Sequence, residues 1–314
     1  MQLTTNTTAF IESQQYSKFI LLNLHDGLLP EAFYRNVQDF LHGSTLNIKT
    51  VGTVTLQEAE EDVPLTYNPI ETGTITFSIT EYKGDAYYVT DDLREDGADI
   101  DRLLAERAAE STRAIQEVFE TDFLATAGEY YTTNTGANNI NGHPHAVVSA
   151  GANNAAQLSD IIQLRLSFDK ANVPAEGRVM IVDPVVEATL NGLVTITHDV
   201  TPFGADLVQK GMARGMRFVM SIFGFDIIMS NRLHVGTYDD GTTSGSFVGN
   251  IVMCILDDQC KPIMGAWRRL PKSEGERNKD RARDEHVVRA RYGFGVQRVD
   301  TMAVYATSAT AISN

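Results

Sequence analysis

The chain has 314 residues, of which 43% are hydrophobic and 21% charged. That is the make-up of an ordinary globular protein, long enough for a sizeable core. The formal net charge of −15 argues against a tightly held nucleic acid or an anionic membrane, because both need clustered Lys and Arg; the plain alternative is a solvated acidic surface.

Residues 1–10 are Thr-rich and polar. They lack the basic-then-apolar pattern of a leader, and no apolar run nears the roughly 18 residues of a membrane span. The expectation is a soluble protein that folds where it is made. "FIESQQYSKFILLNLHDGLLPEAFYRN" has uneven apolar spacing and reads as an extended arm with short helices. From Thr45 the period becomes two. Leu46 and Ile48 alternate, the pattern slips near Gly52, and Val54 and Leu56 resume it; Ile75, Phe77 and Ile79 alternate again. These predict two half-buried strands with a bulge at Gly52, joined by the polar "QEAEEDVPLTYNP". A lone hairpin is marginal in water, and the second face of this one is mostly Thr, so it must lie on something.

Asp99–Ala127, "DIDRLLAERAAESTRAIQEVFETDFLATA", has no Gly or Pro and predicts a helix of roughly 44 Å. Acids in "TDDLREDGAD" complement its dipole. Its apolar stripe begins at Ile100, Leu103 and Leu104 and ends at Ile115, Val118, Phe119 and Phe123. In between stand only Ala105, Ala108, Ala109 and Ala114, which suggests a close crossing by another backbone. "GEYYTTNTGANNINGHPHAVVSAGANNAAQ" reads as a long loop. "LSDIIQLRLSFDKANV" reads as a helix capped by Ser159, and "EGRVMIVDPVVEATLNG" as a strand, an Asp183 cap, Pro184 at the first helical position and Gly192 as the stop. "MRFVMSIFGFDIIMSNRL", "SFVGNIVMCILDD", "KPIMGAWRRLP" and "DEHVVRARYGFGVQRVDTMAVYATSAT" add strands. Helix and strand mix without a regular βαβ repeat, which predicts an α+β fold.

Catalytic signatures are missing. There is no P-loop, no complete G-x-G-x-x-G, no G-x-S-x-G and no H-E-x-x-H. Cys254 and Cys260 are too few for a disulfide framework or a zinc site and read as reduced thiols in a cytoplasmic setting. His143 and His145 in "GHPH" have no identifiable third metal ligand, and a solvated loop accounts for them. Asp91, Asp92, Glu95 and Asp96 lack the spacing of a calcium-binding loop and fit helix N-terminal electrostatics. No catalytic, cofactor-binding or metal residue is assigned.

Charge is nevertheless patterned. Lys261–Arg298 holds eleven Lys/Arg against five Asp/Glu, while Glu58, Glu60, Glu61 and Asp62 crowd the far end of the hairpin and further acids run from Asp85 to Asp101. Opposite-sign surfaces on one chain suit head-to-tail association; pairing within the chain is the alternative.

This order of parts resembles the major capsid protein of tailed bacteriophages, with the fold often called Hong Kong ninety-seven. The resemblance rests on the arm, the Thr-rich hairpin, the acid-capped helix, "RVMIVDPVVEATLNG", "FGFDIIMSNRL" and "RARYGFGVQRVDTMAVYA", and it spans nearly the whole chain. It implies an N-terminal arm at 1–40, an extended hairpin loop at 41–84, a peripheral domain with the spine helix at 85–149, an axial domain at 150–262, and C-terminal strands at 263–314 returning to the peripheral domain. It also implies a non-enzymatic subunit that meets copies of itself in pentamers and hexamers and encloses double-stranded DNA with weak contact. The spine begins near residue 95, which leaves no space for a large internal scaffolding segment, so a separate scaffolding protein is expected with a portal protein; a decoration protein is compatible. The shell would assemble in the bacterial host cytoplasm, belong to the virion, and involve no membrane. Only Lys49 and Lys83 are available on the hairpin strands for covalent crosslinking, so a non-covalent shell is expected. An encapsulin-like nanocompartment shell or an α+β enzyme with an unread site are the other readings.

Overall fold

The computed structural model describes residues 31–37, 45–52, 56–133 apart from 60, 63, 65, 68, 71, 98 and 99, then 139–190 and 218–312. Strand β1 (Arg35–Asn36) precedes the hairpin strands β2 (Thr45–Val51) and β3 (Thr72–Ser78). Next come β4 (Glu81–Thr90), a short helix α1 (Asp91–Asp96) and the long helix α2 (Ile100–Thr133). Two small strands, β5 (Asn139–Ile140) and β6 (His143–Pro144), lead to β7 (Ala146–Val148), α3 (Leu158–Lys170), β8 (Arg178–Val182) and helix α4 at 184–190. The remainder is strand: β9 (Phe218–Ile222), β10 (Phe225–Met229), β11 (Val235–Asp239), β12 (Ser244–Cys254), β13 (Ile263–Asn278), β14 (Arg283–Val296) and β15 (Met302–Thr307).

Two sheets organise these elements. The small one has the order β1-β13-β14-β4. The large one runs β7-β15-β12-β8-β10-β9, with β11 paired to the outer part of β12. Strict alternation along the central strands of the large sheet serves two cores. Val179, Ile181, Ile251 and Met253 face α2, while Met180, Val182, Val252 and Cys254 face α3. The large sheet is therefore packed between two helices, which is why its strands read as nearly continuous apolar runs.

Helix α2 serves both sheets. Ile115 packs on Val288 and Ala290 of the small sheet. Phe123, Leu124, Ala127 and Tyr131 pack on the large one. At the crossing, Phe119 stacks on Trp267 with ring centroids 4.2 Å apart and meets Tyr292 edge-on at 4.9 Å. The Tyr292 hydroxyl donates to Asp122 Oδ2 at 2.6 Å, one residue before Phe123.

Several expectations need correction. The helix does not stop at Ala127 but continues to Thr133. Gly128 is a place of close approach rather than a stop: a Cβ there would lie 2.7 Å from His234 Cβ and 2.9 Å from the Tyr238 hydroxyl. Tyr131, one turn on, donates to the Met302 carbonyl at 2.6 Å. The acids before the helix form their own short helix α1, ended at Gly97. Ser159 does not cap α3, which starts at Leu158 after Gln157. Ala105, Ala109 and Ala114 are exposed and Ala108 is half-buried, so among the described residues no close crossing occupies the alanine stretch. Strand β13 runs well past its expected end, and Pro271 falls where the β13–β14 register shifts between Arg269 and Lys272, a position that tolerates a residue without an N–H.

The hairpin divides in two. Its base is core: Phe77 and Ile79 are buried against Val37, Met264 and Ala266, with Leu46, Ile48 and Ile75 packed alongside. Gly293 admits this base, since a Cβ there would stand 2.5 Å from the Ser78 carbonyl oxygen. Beyond it, Leu56, Tyr67 and Ile70 are almost fully exposed. The resumption expected at Val54 lies outside the described residues, as do residues 1–30 and 38–40 of the expected arm, 41–44 of the expected hairpin loop, and Gly192. The closing strands also separate. β13 and β14 join the small sheet, whereas β15 lies inside the large one, antiparallel to β12 and parallel to β7.

Leu124→Ala is expected to destabilise the isolated subunit by about 2–5 kcal/mol, because it empties a fully buried site. Ala109→Leu should stay within about 0.5 kcal/mol, because its side chain points to solvent. Urea denaturation of both variants checks the contrast.

Candidate functional site

The residues singled out for chemistry do not converge. His143 is half-buried on β6, and His145 is fully buried beside Phe168, with ring centroids 5.8 Å apart. His145 Nδ1 lies 3.3 Å from the His143 carbonyl oxygen, and Nε2 has no hydrogen-bond partner. Among the described residues no group of three or more His, Cys, Asp or Glu could hold a metal. Cys254 is buried, Cys260 is half-buried, and both are free. Burial and a hydrogen bond to Asp257 push the Cys260 thiol up to about 11, so it is no reactive thiolate. Lys83 is 2.8 Å from Glu81 and 3.7 Å from Asp122, and the Glu81 contact raises its pKa. Lys49 faces outward on β2, opposite Thr74.

The charged residues fall into two populations. The first is clamped inside the subunit. Arg277 pairs with Asp91, through Nη2 and Oδ2 at 2.6 Å, and with Asp284 at 3.2 Å; Arg94 also pairs with Asp284. Arg277 holds the Asp91 carboxyl below its usual range. These contacts fasten α1 to the far end of the β13–β14 hairpin. Arg283 lies 2.6 Å from Glu285 and 4.4 Å over the Tyr88 ring. Asp92, Glu95 and Asp96 stay at the surface; Asp92 lies in the first turn of α1, whereas Glu95 and Asp96 fall in its last turn, where acids oppose the helix dipole.

The second population gathers on the face of the small sheet turned away from α2. Register sets Arg291 between Arg269 and Tyr82, and Arg289 between Lys272 and Gly84. Arg269 pairs with Glu274 at 2.5 Å. Lys272, Arg289 and Arg291 have no ion-pair partner among the described residues. Thr80, Tyr82, Arg268, Arg269 and Arg291 line a groove of about 450 Å³. At the other pole, Glu58, Glu61 and Asp62 are exposed beyond the hairpin strands, and Glu60 lies outside the described residues. The Gln57 side chain donates to the Thr66 carbonyl at 2.7 Å and accepts from the Thr66 amide at 2.9 Å, closing the neck of this acidic loop.

Sequence reading missed two buried polar networks. Glu120 of α2 binds Ser230 and Arg232, each at 3.3 Å. Asp160 of α3 accepts from the Tyr305 hydroxyl at 2.8 Å and from Ser149 at 3.1 Å. An acid on the apolar side of each helix was the available signal. Both networks are structural, with donors supplied from within the fold.

The described residues form two sheets bridged by one helix, with an acidic pole, a basic face and no convergent reactive groups among them. The chain belongs to the phage capsid protein family, whose match covers residues 71–307. Its fold is that of tailed-phage capsid subunits. It is similar to the capsid protein of cyanophage P-SCSP1u, at 18% identity over 96% of this chain and 94% of that one, with a TM-score of 0.67. It is similar also to the mature capsid of bacteriophage PhiM1, at 14% identity over 94% and 92% with a TM-score of 0.67. The capsid of cyanophage Pam1 gives 12% identity over 94% and 97%, with a TM-score of 0.66. At these identities the likeness is one of fold. No curated protein sequence matches the chain.

Burial leaves His145 with a pKa lowered from its ordinary value; hydrogen bonds to the His143 and Asp300 backbone and the Asp300 charge pull the other way without cancelling it. The unfolded chain then takes up this proton more readily than the native one, so stability is complete above about pH 6.5 and falls as pH drops below it. His145→Gln should flatten that slope in thermal melts recorded between about pH 7 and pH 5.

Proposed function

We propose that this chain is the major capsid subunit of a tailed-phage head, assembling through pentamers and hexamers into an icosahedral shell around double-stranded DNA. The observation that carries the reading is the hairpin. Its base is fixed in the subunit core, yet its outer part exposes Leu56, Tyr67 and Ile70 together with the acidic loop. A long two-stranded element with no covering layer of its own is marginal in water and is completed by a neighbour. Membership of the phage capsid protein family supports the same reading.

The assignment of parts follows: residues 1–40 an arm, 41–84 the extended hairpin, 85–149 with 263–314 the peripheral unit, and 150–262 the axial unit. Since β7 and β15 pair within the large sheet, the axial unit draws strands from both sides of its own stretch. The subunit acts without catalysis. Its partners are other copies, a separate scaffolding protein and a portal protein, with a decoration protein compatible and DNA held weakly by a chain of net charge −15. It assembles in the host cytoplasm and resides in the virion.

Negative-stain microscopy of the expressed chain should show shells, rings or tubes; a small discrete oligomer would overturn the proposal. Shells filled with protein rather than DNA would instead favour a nanocompartment. Replacing residues 51–73 by a short Gly linker, which keeps Phe77 and Ile79 in the core, should leave a monomer that melts cooperatively and forms no shells.

A further inference from the structure

We propose that the arginine groove on the face of the small sheet turned away from α2 is a binding site for a small, multivalent phosphate-type oxyanion, with free pyrophosphate as its simplest representative. The site belongs to the single subunit and needs no step of the assembly reading. Arg268, Arg269 and Arg291 line a groove of about 450 Å³ together with Thr80 and Tyr82. At about 30 Å³ per water, that is space for roughly fifteen waters, enough for a diphosphate with part of its hydration shell.

Register explains why these side chains meet. Arg291 on β14 stands directly opposite Arg269 on β13 and Tyr82 on β4, so three neighbouring strands project to one spot. Register shifts flank Arg269 and break the alternation of β13, and its neighbour Arg268 lines the same groove instead of turning to the opposite face. Two residues along β14, about 7 Å away, Arg289 stands opposite Lys272 and extends the positive field.

The ligand class follows from charge, shape and donors. No acid lines the groove among the described residues. Glu274 reaches it through Arg269 at 2.5 Å, and Glu81, which accepts from the Thr80 hydroxyl at 3.4 Å, is held by Lys83 at 2.8 Å. Arg291, Arg289 and Lys272 have no ion-pair partner among the described residues. Like charges directly opposite one another destabilise a sheet, and a bound anion relieves that repulsion. A guanidinium donates as a rigid planar fork. A carboxylate has two oxygens in one plane and satisfies one fork, whereas the tetrahedral oxygens of a phosphate accept from forks approaching along two strands at once. The Tyr82 hydroxyl, which has no hydrogen-bond partner among the described residues, adds a neutral donor. Arg277 and Arg283 on the same hairpin are engaged by Asp91, Asp284 and Glu285 and take no part.

The test is calorimetric titration of the full chain with sodium pyrophosphate, at an ionic strength held constant with sodium chloride. Saturable binding of one anion per chain is expected. Arg291→Gln should weaken it by about tenfold or more, without lowering the melting temperature of the ligand-free chain, since that side chain is exposed and unpaired. Arg291→Lys keeps the charge but loses the fork, and should weaken binding nearly as far. Arg165→Gln, at an exposed position on α3, should leave it unchanged. Broadening of the phosphorus NMR line of pyrophosphate by the wild-type chain gives a reading that needs no variant. Absence of both saturable heat and line broadening overturns the proposal. Wild-type affinity in Arg291→Lys, or an equal loss in Arg165→Gln, shows a diffuse counterion cloud and overturns it too. If a single-stranded oligonucleotide binds this face and pyrophosphate does not displace it, the groove follows a polymer backbone and the free-anion site is wrong. Shell formation enters none of these readouts, so the capsid reading stands or falls apart from them.

Discussion

Everything in this subunit hangs on the grip between helix α2 and the two sheets at Phe119 and Asp122. One rigid rod of 34 residues touches the small sheet through Ile115 and the large sheet through Phe123 to Tyr131. At the transfer between them, the Phe119–Trp267 stack and the Tyr292–Asp122 hydrogen bond bind the helix to β13 and β14. A helix of this length curves only gently, so its contacts with both sheets set how they stand to one another. Helical stability here comes from packing rather than propensity. The exposed alanines near its start show that the helix is not covered there, and its N-terminal stretch is held by Arg107 and Ser111 on Asp85 instead.

Polar residues do two separate jobs. Pairs such as Arg277 with Asp91, Arg178 with Asp169 and Arg232 with Glu120 fasten one element to another within the chain. Arg277 near the end of β13 meets Asp91 at the start of α1, and Arg178 at the start of β8 meets Asp169 near the end of α3, element termini that apolar packing alone leaves loosely set. The basic face of the small sheet is different, because its cations lie side by side on neighbouring strands. Like charges so arranged repel and contribute no stability to the monomer. Glu274 offsets part of that repulsion by pairing with Arg269.

Much of this was legible in the chain itself. Period-two alternation at Leu46, Ile48, Ile75, Phe77 and Ile79 marked the hairpin, and the run without Gly or Pro marked the long helix. Asp183 does accept from the Val185 amide at 3.0 Å, as its place before Pro184 implied. What failed did so for tertiary reasons. Gly128 carries the local signature of a stop, yet it is required by the approach of His234 and Tyr238, which lie more than a hundred residues on. Phe77 and Ile79 alternate like any half-buried strand, and nothing nearby says that Met264 covers them. The charge pattern gave opposite poles, but which arginines were already engaged depended on the β13–β14 and β14–β4 registers, which no local signal reports.

The place of β15 joins distant parts of the chain. Met302–Thr307 is fully buried between β12 and β7, and among the described residues β7 pairs only with this strand. Without β15 the small sheet keeps all four of its strands, whereas the large sheet loses β15 and with it the seat of β7 at its edge. A cut after residue 300 is thus expected to open β7 to limited proteolysis while sparing the small sheet.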